Sequence, residues 1–369
     1  MKTIQTIGFI GFGLIGGSVA RLLREQSKTY DIFAYDHHTD RCNPGMVAAL
    51  ADGTLSRIEH DLSCFSDADL VFLCAPVLKN IDYLTKLKNI VRPDCILTDV
   101  GSVKGNIHTA AHELGMDAQF IGGHPMAGSE LTGYANSSTM LLENAYYILT
   151  PTPATPQEVT DYMVALIRSF RALPILLNAK EHDNITAAIS HVPHIIAAEL
   201  VNLVRLSDDP SERMRLLAAG GFKDITRIAS SSPEMWQNIC LTNADSIKAT
   251  LDTYIAALTK VSDAIERGDS AYLYEMFDTA NDYRSGIPNF KGMMNRIYEL
   301  YVDITDEVGA IATIAILFGS NGISIKNMGI IHNREFEQGV LRVEFYDEDA
   351  LNQGRKVLSA RHYKIYDRK

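Results

Sequence analysis

Cysteine is scarce and unpatterned in this chain of 369 residues: Cys42, Cys64, Cys74, Cys95 and Cys240 make an odd number, with no C-x-x-C spacing. That argues against a disulfide framework and against a zinc motif, so no metal is expected. Long apolar runs are lacking too. The most apolar stretches are broken by His191, Pro193, His194 and Glu199, short of the roughly 18 uninterrupted residues of a membrane span. The first residues, Met1-Lys2-Thr3-Ile4-Gln5, run straight into a strand-like segment without an apolar signal core or cleavage site. A soluble, cytoplasmic protein is the expectation. Positive charge is in deficit, 34 Lys and Arg against 45 Asp and Glu, and no basic run is interleaved with aromatics, so neither nucleic acid nor a membrane is expected as a partner. An anionic ligand would need a local basic pocket.

What is present begins with glycine. The apolar run Ile4 to Ile10 leads into Gly11-Phe12-Gly13-Leu14-Ile15-Gly16-Gly17-Ser18 and then into the helix-like Val19 to Arg24. Strand, glycine turn and helix are the context a G-x-G-x-x-G needs for dinucleotide binding. Gly11 suits the tight turn, Gly13 the approach of a pyrophosphate, and Gly16 helix–strand packing, with the N–H groups of Leu14 and Ile15 at the helix start. A second strand, Asp31 to Tyr35, ends at Asp36, twenty residues after Gly16, where an acid binds the ribose 2′-hydroxyl and repels a 2′-phosphate. NAD is the expected cofactor, while His37, His38 and Arg41 keep NADP open.

Further buried strands end at Ala75-Pro76 and at Asp99-Val100, the latter leading into Gly101-Ser102-Val103-Lys104. A short strand over 118–121 precedes Gly122-Gly123-His124-Pro125-Met126-Ala127-Gly128-Ser129-Glu130, placing His124 just past a strand end. There it would meet Gly11–Gly16, Asp36, Ala75-Pro76 and Ser102 in the crevice of a doubly wound sheet. Two plainer roles stand beside these: the glycines supply positive φ in a structural loop, and Ser102 caps the helix after it.

From Lys180 to about Arg296 the pattern is helical, with apolar 3.6-period stretches such as 185–206 and 244–265 that need another surface to cover them, most simply that of a second copy. Pro193 within Ser190-His191-Val192-Pro193-His194 is expected to kink its helix. Arg227, near the single Trp236, suits bidentate carboxylate binding, with an Arg–Asp structural pair as the alternative. The tail reads strand 298–304, helix 308–319, strand 323–331, strand 339–345, helix 348–360 and strand 363–366, a βαββαβ order of ferredoxin-like type. The fold class is thus α/β: a Rossmann-type doubly wound parallel sheet (1–178), an all-helical substrate and dimerisation domain (179–296), and the ferredoxin-like tail (297–369).

Assembled in this order, the GFGLIGGS turn, Asp99–Lys104 (DVGSVK), Gly122–Glu130 (GGHPMAGSE), Ser190–His194 (SHVPH), Gly220–Ala229 (GGFKDITRIA) and Met235-Trp236 resemble the prephenate dehydrogenase family of tyrosine biosynthesis. The tail is similar to an ACT domain, an amino-acid-sensing module. The resemblance implies NAD-dependent oxidative decarboxylation of prephenate to 4-hydroxyphenylpyruvate and CO2 by a homodimer. It gives His124 the role of accepting the hydroxyl proton and Ser102 that of orienting His124 or the same hydroxyl. Arg227, His194, Ser190 and Trp236 would contact the substrate, and Ser129 and Glu130 would stand at the pocket mouth. Tyrosine is the expected effector at the tail. Arogenate dehydrogenase and a non-catalytic amino-acid and NAD sensor are the alternatives.

Overall fold

The computed structural model describes residues 3–38, 41–128, 131–287, 298–304, 308–331 and 339–366. Two compact units divide the chain at 288/289. The expected boundary at 296/297 and the residues Ser129 and Glu130 lie outside the described residues.

The first unit opens with alternating strands and helices: β1 (Thr6–Ile10), α1 (Leu14–Gln26), β2 (Asp31–Tyr35), α2 (Pro44–Ala51), β3 (Arg57–Glu59), β4 (Leu70–Leu73), α3 (Val77–Leu87), β5 (Ile96–Asp99) and α4 (Gly105–Glu113). The five strands are parallel, in the order β3-β2-β1-β4-β5. Helices cover both faces, so β1 and β4 carry near-continuous apolar sequence and are buried on both sides. Phe9 stacks on Phe72 on one face, while Phe33 packs on Phe65 on the other.

The next three strands are β6 (Ile121–Pro125), β7 (Tyr146–Pro151) and β8 (Leu173–Leu176), with α5 (Gln157–Ser169) between the last two. They form a separate mixed sheet: β6 pairs antiparallel with β7, and β7 parallel with β8. A single parallel bridge, Leu97 to Phe120, joins it to β5. The expectation of a short strand ending at residue 121 is therefore corrected. The strand begins there and runs through His124 to Pro125.

Helices α6 (Ala179–Thr186) and α7 (Val192–Ser207) are joined without a break by a π-helical turn at Ala187–His191. Asn178 starts the run by accepting the Glu181 N–H at 2.8 Å. Pro193 has no N–H for the carbonyl of Ile189, and the interruption takes the form of this π turn. Among the described residues, Ala179–Ser207 is the one helix long and apolar enough to cross a membrane by length and composition. Ile189, Leu203 and Leu206 are exposed along it. The unit continues with α8 (Arg213–Leu217), α9 (Gly220–Thr226), a 3₁₀ turn at Arg227–Ser230, α10 (Pro233–Thr242), α11 (Ala244–Arg267) and α12 (Ser270–Gly286).

The second unit follows the expected βαββαβ order: β9 (Tyr298–Ile304), α13 (Ala310–Ser320), β10 (Ile325–Ile331), β11 (Gly339–Phe345), α14 (Glu348–Ser359) and β12 (Ile365–Tyr366). Its antiparallel sheet has the order β10-β11-β9-β12. Alternate residues Leu300, Val302 and Ile304 of β9 face a core shared with Phe318, Phe345 and Leu358.

Candidate active site

The glycine turn has the geometry a dinucleotide requires. Gly11 sits at φ +84°, and a Cβ there would lie 2.5 Å from the Ala75 nitrogen, so only glycine lets the β1 and β4 loops meet. A Cβ on Gly16 would lie 2.8 Å from the Gly11 carbonyl. Gly13 differs: nothing stands within 4 Å of the Cβ position, and no side chain caps the α1 N-terminus. The N–H groups at that end, including those of Leu14 and Ile15, are the ones a helix leaves for an outside acceptor. The adjoining hollow is lined by Phe12, Gly13, Asn43, Pro44, Gly45 and Tyr134. Asp36, just past β2, is 1% exposed, and its carboxylate accepts the His38 N–H at 3.1 Å and the Asn43 N–H at 2.6 Å. These bonds hold the carboxylate at the end of its strand. Ala75 and Pro76 form the β4–α3 turn, tied by the Ala75 N–H to Asn80 Oδ1 at 3.0 Å.

His124 sits on β6 opposite Ile148 and is 9% exposed. Gly122 and Gly123 are not positive-φ residues, which corrects the loop reading of these glycines. They make room: a Cβ on Gly123 would fall 2.6 Å from the Asp99 carbonyl, and one on Gly122 would fall 2.3 Å from Thr150 Oγ1. Into that space comes the buried pair Asp99–Lys104. Lys104 Nζ donates to the Gly123 carbonyl at 2.8 Å, and Asp99 Oδ1 accepts the Gly123 N–H at 3.2 Å. The ion pair thus clamps the residue before His124.

The imidazole is held by residues that lie outside the sequence motifs. His124 Nδ1 lies 2.7 Å from His182 Nε2, and His182 Nδ1 lies 2.8 Å from Asp183 Oδ1. Asp183 also accepts the N–H groups of Lys104 (2.8 Å) and Gly105 (2.7 Å), so it caps α4 from a neighbouring helix. Ser102 does not cap α4, as the cap residue is Lys104. Nor, among the described residues, does Ser102 hydrogen-bond His124. It lies half-buried in the β5–α4 connection.

Beyond this, a row of imidazoles leads outward along the helix. The Asn243 amide nitrogen donates to the Asp183 carbonyl at 2.9 Å and lies 3.1 Å from His191 Nδ1. His194 Nδ1 donates to the Ser190 carbonyl at 2.8 Å, and its ring stacks on Trp236 at 3.8 Å. His191 meets Trp236 edge-on at 6.1 Å. The buried His191 Nε2 and Trp236 Nε1 have no partner among the described residues. Arg227 is exposed at the start of its 3₁₀ turn, near enough to His194 to disfavour the imidazolium.

The electrostatics keep this row neutral. Burial, then the neighbouring His182, Lys104 and His191, hold the His124 imidazole well below 6.5. Burial likewise lowers His182, against the pull of Asp183, and takes His191 down to about 4. Burial pushes the Asp183 carboxyl upward, but its bonds from His182 and from the N–H groups of Lys104 and Gly105 outweigh this and leave it below the ordinary value. At neutral pH the arrangement is an ionised Asp183 behind two neutral imidazoles. A neutral imidazole in a dinucleotide-binding fold can accept a hydroxyl proton as hydride leaves the adjoining carbon.

Fold and site together define a dinucleotide-dependent dehydrogenase. The sequence matches the family described as "Prephenate dehydrogenase, nucleotide-binding domain" over residues 19–175 and "Prephenate dehydrogenase, dimerization domain" over residues 178–279. It is 37% identical over 361 residues to prephenate dehydrogenase of Bacillus subtilis, covering 97% of this chain and 96% of that one. Among solved structures, prephenate dehydrogenase from A. aeolicus in complex with hydroxyphenyl propionate and NAD+ superposes with TM-score 0.72 at 29% identity, over 78% of this chain and 99% of that one. Arogenate dehydrogenase of Synechocystis gives TM-score 0.67 at 28% identity, over 76% and 99%. The chain belongs to the prephenate dehydrogenase family.

Proposed function

We propose that the chain catalyses the NAD-dependent oxidative decarboxylation of prephenate to 4-hydroxyphenylpyruvate and CO2, with His124 as the proton acceptor. The observation that carries the role of His124 is its buried placement with Nδ1 engaged by His182 Nε2 at 2.7 Å, which disfavours the imidazolium and leaves Nε2 for substrate. The cofactor turn fits its ligand through the open space at Gly13 and the α1 N-terminus. Gly11, Gly13, Leu14, Ile15 and Gly16 would hold the pyrophosphate, Asp36 the ribose, and Ala75-Pro76 the far wall.

Bound NAD supplies the hydride acceptor. His124 Nε2 takes up the positive charge of the ring hydroxyl proton as that oxygen gains carbonyl character. When the electrons of the carbon–carboxylate bond enter the ring, CO2 leaves, and the phenolic oxygen takes the proton back. Proton-acceptor help of this kind contributes about 10²–10⁴-fold. Ser102 would meet the substrate hydroxyl, Arg227 a substrate carboxylate, and His194, Ser190 and Trp236 the side chain, with Ser129 and Glu130 at the mouth. Leaving the departing carboxylate weakly bound avoids stabilising the ground state as much as the transition state.

The partition 1–178, 179–296 and 297–369 assigns NAD binding, substrate binding with dimerisation, and regulation. A homodimer would cover the exposed apolar side chains of the Ala179–Ser207 helix and of α11, as expected for a cytoplasmic enzyme. The tail's ferredoxin-like topology supports an ACT-like effector module, with tyrosine as the end-product ligand. The similarity to an arogenate dehydrogenase supports a second reading in which the side chain carries an amino group. Comparing kcat/KM for prephenate and arogenate, each with NAD and NADP, tests both. A preference for prephenate with NAD is expected, and equal or better turnover of arogenate overturns the substrate assignment.

A further inference from the structure

We infer that His182 and Asp183 form a positioning relay for His124, holding its Nδ1 proton so that the Nε2 lone pair faces substrate, and sharing the charge the imidazole acquires during turnover. The inference rests on His124 being the proton acceptor.

The proton positions follow from the partners. Asp183 already accepts two backbone N–H bonds and is ionised at neutral pH, so it can only accept. The proton between it and His182 therefore sits on His182 Nδ1. A neutral His182 then has a bare Nε2, which obliges His124 Nδ1, 2.7 Å away, to be the donor. What remains on His124 is the unprotonated Nε2. The tautomer needed for proton acceptance is thus dictated from two residues away.

The same chain answers the charge. When Nε2 gains its proton, the Nδ1–H bond to His182 becomes charge-assisted, and the Asp183 carboxylate stands at its far end. The surrounding charged and titratable groups do not duplicate this. Lys104, from the β5–α4 connection, opposes a positive imidazole, as does His191 from the π turn. Asp99 is engaged by Lys104 and by the Gly101 and Gly123 N–H groups. Asn243 anchors the other side, donating to the Asp183 carbonyl at 2.9 Å.

The test compares His182→Leu, which removes the acceptor, with His182→Gln, whose amide oxygen can stand where Nε2 stood. His124→Asn serves as reference. With prephenate and NAD, His182→Leu is expected to lower kcat by about 10²-fold, as second-layer partners do at the upper end of their range. The substrate KM and the Kd of NAD should stay within about threefold, and His182→Gln should recover kcat to within about tenfold of wild type. A His182→Leu enzyme with wild-type kcat overturns the relay. So does a His182→Gln enzyme as impaired as His182→Leu while both bind NAD normally, since that is the behaviour of a packing residue. Should His182→Leu fail to fold, His182→Gln decides alone. A kcat within tenfold of wild type at unchanged KM supports the relay, and a kcat as low as that of His124→Asn overturns it. If His124→Asn itself retains wild-type kcat, the assignment of His124 has failed. If His124→Asn is inactive and His182→Leu turns over normally, only the relay has.

Discussion

Two glycine-rich stretches serve opposite needs. At Gly11–Gly16 the missing side chains shape a turn and leave space at Gly13 that the protein does not fill. At Gly122-Gly123 the backbone is an ordinary strand, and the space is filled by the protein's own Asp99, Thr150 and Lys104. The first stretch is made for a ligand and the second for a buried ion pair that fixes the strand carrying His124. Glycine in a motif therefore says that something comes close, while the structure says what.

Damage to either stretch should separate binding from chemistry. His124→Asn is expected to reduce kcat by about 10²–10⁴-fold while the Kd of NAD, measured by titration, barely moves. An unchanged kcat would remove the chemistry from the second stretch. Arg227→Gln should leave both stretches intact and raise the substrate KM about 10–100-fold, the worth of a charge-assisted hydrogen bond. If KM stays put, Arg227 is structural. Gly13→Ala should weaken NAD about tenfold or more at unchanged Tm, because its methyl enters open space that the pyrophosphate needs. Gly123→Ala should do the reverse. Its Cβ would press on the Asp99 backbone, lowering Tm by about 3–10 °C. Equal effects of the two substitutions on NAD affinity would erase the contrast. The smallest effect concerns pH. The His124 pKa is depressed, so the acceptor is ready above that value and lost as pH falls through it. The rate should stay level through pH 6.5 and decline only below it, and an acidic limb centred at or above 6.5 counts against a buried neutral acceptor.

The legible parts of the sequence were those where local pattern and tertiary role coincide. The glycine turn between an apolar strand and a helix was visible because each residue's job is local. The tail is legible within a few residues because its strands alternate and its second helix carries a cap, Asp347, which accepts the Ala350 N–H at 2.8 Å. The strand carrying His124 is hidden in the sequence because Gly122, Gly123 and Pro125 speak against a strand. It is held instead by β7 and by one bridge to β5. Strand direction is not encoded in periodicity, so the mixed sheet is not legible in the sequence. His182 and Asp183 follow a recognisable cap at Asn178, but their importance arises from contact across 58 residues of chain. Serine favours a cap position, which makes Ser102 a candidate by sequence, whereas Asp183 supplies the capping oxygens from another helix.

The π turn at Ala187–His191 gives the helix two phases. Ahead of it, His182 and Asp183 keep time with the sheet. After it, His194 keeps time with Trp236. Each residue advances an α-helix by about 100°, so deleting a single residue from the turn would leave both halves helical and turn one against the other by roughly that angle. The His182–Asp183 pair behind His124 and the His194–Trp236 stack would then lie on the same rod but could no longer both meet their present partners.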